Sequence, residues 1–213
     1  AASRAVLSQE QKELGVILMD VGAGTTSVAI FEKGDLVDFA ILPLGSANIT
    51  NDIALGLRTE IQTAEKIKQA FATLDIDKKD KKPTISLPEN SLSFTKKFLQ
   101  GIVQARVAEI FSETERYLRK AVSQNQLPCG IVLTGGGSNL PGVVEFAKEN
   151  FKLPCRLGTI KNFADLKGGE YAVCAGLLLS GFEPEEQSHY IQQEKTRRSI
   201  VDKIKGIVHS FLP

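Results

Sequence analysis

The sequence predicts an α/β fold, and three observations carry that expectation. Short β-branched and apolar runs bounded by Gly open the chain, segments with apolar residues three and four apart follow, and two Gly-rich turns follow strand-like runs. With 213 residues, 42% of them hydrophobic and 24% charged, the chain can bury a real core as one large domain or two small ones.

Residues 1–13 read as a lead-in. The run GVILMDVG (15–22) reads as a strand, and TSVAIFEKGDLVDFAILPLG (26–45) adds two apolar runs split by Lys33, Gly34 and Asp35. That pattern predicts a three-stranded antiparallel meander with turns at 22–25 and 33–35. From Asn48 the period changes: Ile49, Ile53, Leu57 and Ile61 lie four apart and predict a helix, with Thr50 or Asn51 as N-cap. A second helix over 63–74 carries Ile67, Ala70, Phe71 and Leu74 on one face.

The stretch DIDKKDKKPTISLPENS, highly charged and broken by Pro83 and Pro88, reads as a solvated loop with one short strand, Thr84–Leu87. The longest helix runs from Phe94 to about Gln124, with Phe98, Ile102, Ala105, Ile110, Tyr117, Leu118 and Ala121 near helical spacing. Arg106, Glu109, Glu113, Arg116 and Arg119 mark its polar face. Next come a strand (130–134), a Gly-rich turn (135–137) and a helix started near Pro141. PCRLGT offers one more short strand, and EYAVCAGLLLSGF (170–182) an Ala- and Gly-rich helix suited to close packing.

The tail from Glu183 onward changes character. Residues 183–198 hold few large apolar side chains and read as a flexible tether. In 199–213, Ile200, Val201, Ile204, Ile207, Val208, Phe211 and Leu212 recur at steps of three and four, opposite Asp202, Lys203, Lys205 and His209. With Arg197 and Arg198 just upstream, this is the pattern of an amphipathic helix lying on anionic lipid. At about 1 kcal/mol per basic residue near such a surface, those four charges add roughly 4 kcal/mol to apolar insertion. The alternative is a helix packed back on the domain. A polar chain of about 16 residues spans roughly 20–25 Å, which favours a detached anchor.

Composition excludes several classes. A formal net charge of +1 gives no global argument for nucleic acid. Cys129, Cys155 and Cys174 lack any metal-ligand spacing and read as thiols of a reducing compartment. No apolar run approaches the roughly 18–20 residues of a spanning helix, so a cytoplasmic protein is expected. The chain opens Ala1-Ala2-Ser3 and its only Met, Met19, lies inside a strand-like run, so a piece of a longer protein is expected.

Two stretches bear chemistry. In DVGAGTT, a turn of small residues leaves backbone N–H groups uncovered to converge on an anion. Gly22 and Gly24 permit left-handed or close-approach conformations, and the Thr25 and Thr26 hydroxyls add donors. Asp20, at the strand end, can hold a hydrated Mg²⁺, which binds through one or two carboxylates and substrate phosphates. The same stretch also fits a plain hairpin turn. The second stretch, IVLTGGGSNLPG, is strand, triple Gly, then helix, an arrangement that brings backbone and helix N-terminus against a nucleotide. Neither matches the P-loop or dinucleotide fingerprints.

The order MDVGAGTTSVAIFEKGDL, LPLGSANITNDIALGLRTEIQTAEKIK, IVLTGGGSNLPG and GLLLSGF resembles the second half of the FtsA family, the bacterial cell-division branch of the actin and DnaK-type ATPase superfamily. The resemblance covers nearly all of residues 14–212, and DIALGL…AEKIK is its most specific part. It implies half of an actin-like ATPase (ribonuclease H-like) core, 14–75 plus 128–182, a small inserted α/β subdomain at 76–127, the tether and the membrane helix. It implies ATP with Mg²⁺ as cofactors. Asp20 becomes the metal or water ligand and tentative catalytic residue, with Gly22, Gly24, Thr25 and Thr26 as the second phosphate motif. Glu65 and Lys68 become the pair touching ribose and adenine, and Gly135, Gly136 and Gly137 the adenosine motif, where a side chain would collide with the nucleoside.

The family usually has DxGGGTT followed by Asp; here Ala23 and Ser27 stand instead. Ala23 is mild if its φ is negative, and Ser27 removes a carboxylate. The family's first phosphate motif belongs to the preceding half, so weak ATP binding and little or no ATPase are expected of this chain alone. Implied partners are the C-terminal peptide of FtsZ at 76–127, anionic lipids, other division proteins and further copies in a filament, on the cytoplasmic face of the membrane at the division site. Lys78, Lys79, Lys81, Lys82 and the Arg106 face are candidates to steer an acidic peptide. The alternatives are an actin-like scaffold of pilus assembly and a free-standing nucleotide-dependent phosphotransferase.

Overall fold

The computed structural model describes residues 1–75, 84–87, 92–121, 127–160, 163 and 168–182. The chain divides into two compact units, Ala1–Leu177 and Leu178–Pro213. Of the second, only 178–182 lie among the described residues, and the expected tether and membrane helix fall outside them, as do Lys78, Lys79, Lys81 and Lys82.

The first unit is built on a five-stranded sheet. Strands β1 (Val16–Val21), β2 (Thr26–Glu32) and β3 (Asp35–Leu42) form the expected antiparallel meander. Strands β6 (Ile131–Thr134) and β7 (Cys155–Leu157) then add in parallel beside β1, giving the order β3-β2-β1-β6-β7. The two central strands, VILMDV and IVLT, are apolar almost throughout because both their faces are covered. Lys33 and Gly34, at φ 54° and 88°, make the two-residue turn whose twist matches the flanking strands.

Strand β3 forms one edge. Its Val37, Phe39 and Ile41 are 49%, 50% and 60% exposed, and the Phe39 N–H donates to the Asp38 carboxylate of its own strand at 2.8 Å.

Two short helices, α1 (Ala2–Val6) and α2 (Gln9–Leu14), occupy the stretch read as a lead-in. Ser8 caps α2 reciprocally with Gln11, a capping box legible in the sequence. Arg156 of β7 reaches the Gln11 side chain at 2.8 Å and fastens this segment to the sheet.

Helix α3 (Ser46–Leu57) starts before the expected N-cap. The Asn48 side chain turns back to accept from the Gly45 N–H at 2.9 Å, so polar residues that resemble a loop form the first turn, and Thr50 lies buried inside the helix. Helix α4 (Ile61–Phe71) follows after a left-handed Arg58.

The 84–87 segment is a strand as expected, β4 (Thr84–Leu87), and it pairs with β5 (Leu92–Thr95), whose last two residues, Phe94 and Thr95, the sequence places at the start of the next helix. Helix α5 (Lys96–Ala121) buries Leu99, Val103, Val107, Ile110, Phe111, Thr114 and Leu118. Of the expected apolar face, Ile110 and Leu118 are buried and Ile102, Tyr117 and Ala121 pack against the core, whereas Phe98 is half exposed. Phe98 and Ile102 lie over Gly56 of α3, where an added Cβ would come within 2.6 Å of Ile102.

Arg106 is not a free cation on that helix. Its guanidinium grips Asp52 of α3 through two bonds of 2.6 and 2.8 Å and also reaches Glu109 at 2.7 Å, so it clamps α3 to α5. Among the described residues the Tyr117 hydroxyl is enclosed with no acceptor within hydrogen-bond distance; burial first, and the nearby Asp38 carboxylate second, push its pKa up to about 12. Helix α6 (Val143–Phe151) closes the core through Phe146 and Phe151 against Phe111, with centroids 6.0 and 5.0 Å away. A 3-10 turn, Gly169–Tyr171, leads into α7 (Ala172–Phe182), where Gly176 passes so close to the Ala1 carbonyl that a Cβ would stand 2.0 Å from it.

Candidate functional site

Both Gly-rich turns leave the same end of the sheet. β1 and β6 run parallel with Asp20 beside Thr134, so the turns that follow them, 22–25 and 135–137, emerge next to each other. In open α/β sheets this carboxyl end is where ligands bind.

The first turn is bolted to α3. The carbonyls of Gly22 and Ala23 accept from the Ser46 and Ala47 N–H groups at 2.9 and 2.8 Å, and Gly22 N–H donates to the Thr25 carbonyl at 2.9 Å. The N–H groups of Ala23, Gly24 and Thr25 meet no acceptor among the described residues, and all three residues are exposed. A Cβ on Gly24 would enter open space, whereas one on Gly45 would stand 2.4 Å from the Ala23 carbonyl. Three uncovered amides in an exposed turn are chemically able to receive phosphate oxygens.

Two expectations change here. Gly22 and Gly24 are not left-handed, and Ala23 has no positive φ, so it fits without strain. Thr26 is buried and its hydroxyl donates to the Leu44 carbonyl at 2.8 Å; it fastens the turn and has no proton to offer a ligand. Thr25 keeps an exposed hydroxyl.

Asp20 sits half-buried at the end of β1, and no hydrogen-bond donor among the described residues reaches its carboxylate. Burial raises its pKa above the usual carboxylate range, opposed in part by the Ala1 ammonium. Among the described residues no three acidic, His or Cys side chains gather to hold a metal by themselves. A lone carboxylate beside uncovered amides fits Mg²⁺ arriving with phosphates, a cation that keeps several waters.

The second wall is a cavity of about 480 Å³ between α4 and the other Gly-rich turn, lined by Ser46, Ile49, Glu65, Lys68 and Gln69 on one side and Gly136, Gly137, Asn139, Pro141 and Glu170 on the other. Glu65 accepts from the Thr50 hydroxyl at 2.5 Å, from Lys68 at 2.8 Å and from Gln69 at 2.9 Å. Desolvation pushes the Glu65 pKa up, but the bonds from Lys68, Thr50 and Gln69 outweigh it and leave the group lowered. Lys68, only 13% exposed, also donates to Thr50 at 2.9 Å and to the Ser46 carbonyl at 3.3 Å, which ties α4 to the start of α3.

The triple Gly has three separate causes. Gly135 is left-handed, φ 85°, and a Cβ there would strike the Asp20 carboxylate and the Val21 carbonyl at 2.4 Å. On Gly137 it would strike Val21 at 2.4 Å. Both are thus required by β1 itself, and Gly135 does not line the cavity. Only Gly136, whose nearest protein neighbour would be 3.9 Å away, leaves room for a ligand.

Ser46, Gln69, Asn139 and Glu170 join the site without having been singled out in the sequence. Asn139 donates to Glu170 at 2.8 Å, and this bond above all keeps the exposed Glu170 below its usual pKa. Gly135 N–H and the Thr134 hydroxyl both donate to the Gly169 carbonyl, at 3.1 Å each, and so fix Glu170 beside the turn.

A sheet of this order, with two Gly-rich turns at one end and a cavity beside them, is the arrangement of an actin-like fold. MreB5 of Spiroplasma citri bound to ADP superposes with a TM-score of 0.68 at 18% identity, covering 84% of this chain and 56% of that one. A chain of the PilM-PilN type IV pilus biogenesis complex gives 0.61 at 20% identity, over 83% of this chain and 48% of that one. At such identities the likeness shows the fold alone. The family model described as Cell division protein FtsA matches residues 17–176, and the chain belongs to that family. Cell division protein FtsA of Pseudomonas aeruginosa is 36% identical over 193 residues, 87% of this chain and 46% of that protein. The Bacillus subtilis protein is 34% identical over 182 residues, 84% of this chain and 41% of that protein. The chain therefore spans about half the length of these relatives.

Proposed function

We propose that this chain forms one wall of an ATP-binding cleft in a cell-division protein that tethers the FtsZ ring to the inner face of the membrane. The observation that carries the reading is the adjacency of the 22–25 amides, the Asp20 carboxylate and the Glu65–Lys68 cavity at one end of one sheet. Phosphates would meet the Ala23, Gly24 and Thr25 amides, Mg²⁺ with its waters would meet Asp20, and the nucleoside would lie between α4 and Gly136. The magnesium ion, when bound, neutralises phosphate charge; the chain's own residues bind and orient.

The actin-like core at 14–75 and 128–182, the peptide-binding insertion at 76–127, the tether and the 199–213 membrane helix complete the reading. Filament formation and contacts with other division proteins belong to it, as does a peripheral position at the division site. The pilus scaffold shares the fold, and the family match favours division. For a phosphotransferase, no side chain beside Asp20 among the described residues serves as a base.

Titration with fluorescent ATP should show weak, magnesium-dependent binding that Gly24→Val reduces at least tenfold without lowering the melting temperature. Micromolar binding unaffected by that substitution would overturn the phosphate assignment. Co-sedimentation with anionic liposomes should be lost when Ile204, Ile207 and Phe211 become Glu.

A further inference from the structure

The register of β1 and β2 sets Ser27 directly opposite Asp20. Opposed residues of an antiparallel pair share a face with Cβ atoms roughly 4.5–5.5 Å apart. Both side chains are half-buried, and neither makes a hydrogen bond with the other or with any described residue. Continuing the row across the sheet, Ile41 of β3 has no polar atom to offer, and the Thr134 hydroxyl of β6 is already given to Gly169. Asp20 and Ser27 are therefore the two uncommitted polar side chains of this row. Their Cβ spacing lets one water-sized ligand lie between them.

We propose that Ser27 is a positioning residue for the hydrated cation held at Asp20, and that a neutral hydroxyl in this place makes cation binding depend on the nucleotide. This rests on the phosphate reading of the 22–25 turn. One carboxylate and one hydroxyl supply a single negative charge. Hard divalent ions that shed water reluctantly need one or two carboxylates together with phosphate oxygens. With a hydroxyl at 27 the missing charge must come from phosphate. With a carboxylate there, the protein would supply part of that charge itself and binding would lean less on phosphate.

Mn²⁺ binding to the full chain, followed by electron paramagnetic resonance with and without ADP, tests this. The natural chain should bind Mn²⁺ at least tenfold tighter when ADP is present. Ser27→Asp should bind Mn²⁺ without ADP at least tenfold tighter than the natural chain, and adding Asp20→Asn should abolish that gain. Ser27→Ala should weaken the ADP-dependent binding several-fold while Ser27→Thr restores it, with melting temperatures of all variants recorded to confirm folding. An unchanged Mn²⁺ affinity in Ser27→Asp, or a gain that survives Asp20→Asn, overturns the proposal. If the natural chain shows no ADP effect while Ser27→Asp gains an Asp20-dependent site, the phosphate reading fails and the nucleotide dependence falls with it, whereas the paired geometry at 20 and 27 holds.

Discussion

Two carboxylates face the ends of this site, and they are held in opposite ways. Glu65 receives three hydrogen bonds from Thr50, Lys68 and Gln69, and its pKa is lowered; Asp20 receives none from the described residues, and burial raises its pKa. The first is part of the architecture that joins α3 to α4. The second is a charge the fold keeps half-buried without satisfying it, as binding groups often are. The same contrast runs through the glycines: Gly135 and Gly137 are filled against by β1, while Gly24 and Gly136 border open space.

The largest effect expected is at Gly135. Gly135→Ala puts a Cβ 2.4 Å from two oxygens at a left-handed φ, and should destabilise the chain by about 3 kcal/mol or more, whereas Gly24→Ala should stay within about 0.5 kcal/mol. Urea melts of the two variants side by side would break the distinction if they came out equal. Next, Glu65→Ala strips three donors of their acceptor and leaves Lys68 nearly enclosed. Allowing for the 38% exposure of Glu65, about 1–2 kcal/mol should be lost at neutral pH. Because its pKa is lowered on folding, this stabilisation exists above the ordinary glutamate range and fades as pH falls through the folded value.

The smallest effect has the opposite sign. A carboxylate whose pKa is raised on folding destabilises once it ionises, so Asp20→Asn should stabilise the chain slightly at neutral pH, read as a small rise in the urea midpoint. That gain should vanish as pH falls below the carboxylate range, where Asp20 is protonated in both states. A loss of stability in Asp20→Asn at pH 7 would show a partner for the carboxylate that the present geometry lacks.

The sheet was legible because its strands are apolar runs punctuated by Gly, and the meander turns fell where Gly22 to Thr25 and Lys33-Gly34 indicated. The start of α3 was not, since Ser46 and Asn48 have loop chemistry until Asn48 folds back on Gly45. On α5 the apolar residues outnumber one face, and Phe98 and Ile102 belong to a second contact with Gly56. At the site, Asp20, Glu65 and Lys68 could be placed by motif. Asn139 and Glu170 could not, because they converge from turns 31 residues apart and no spacing marks them.

Strand β3 leaves a row of apolar side chains at an open sheet edge, the usual template for unwanted strand addition between molecules. The Asp38 carboxylate already occupies the Phe39 amide, and its charge lies in the middle of the strand. A second strand could pair there only by displacing that bond and burying the charge. The edge thus carries its own stopper against aggregation, within the strand whose exposed face most needs one.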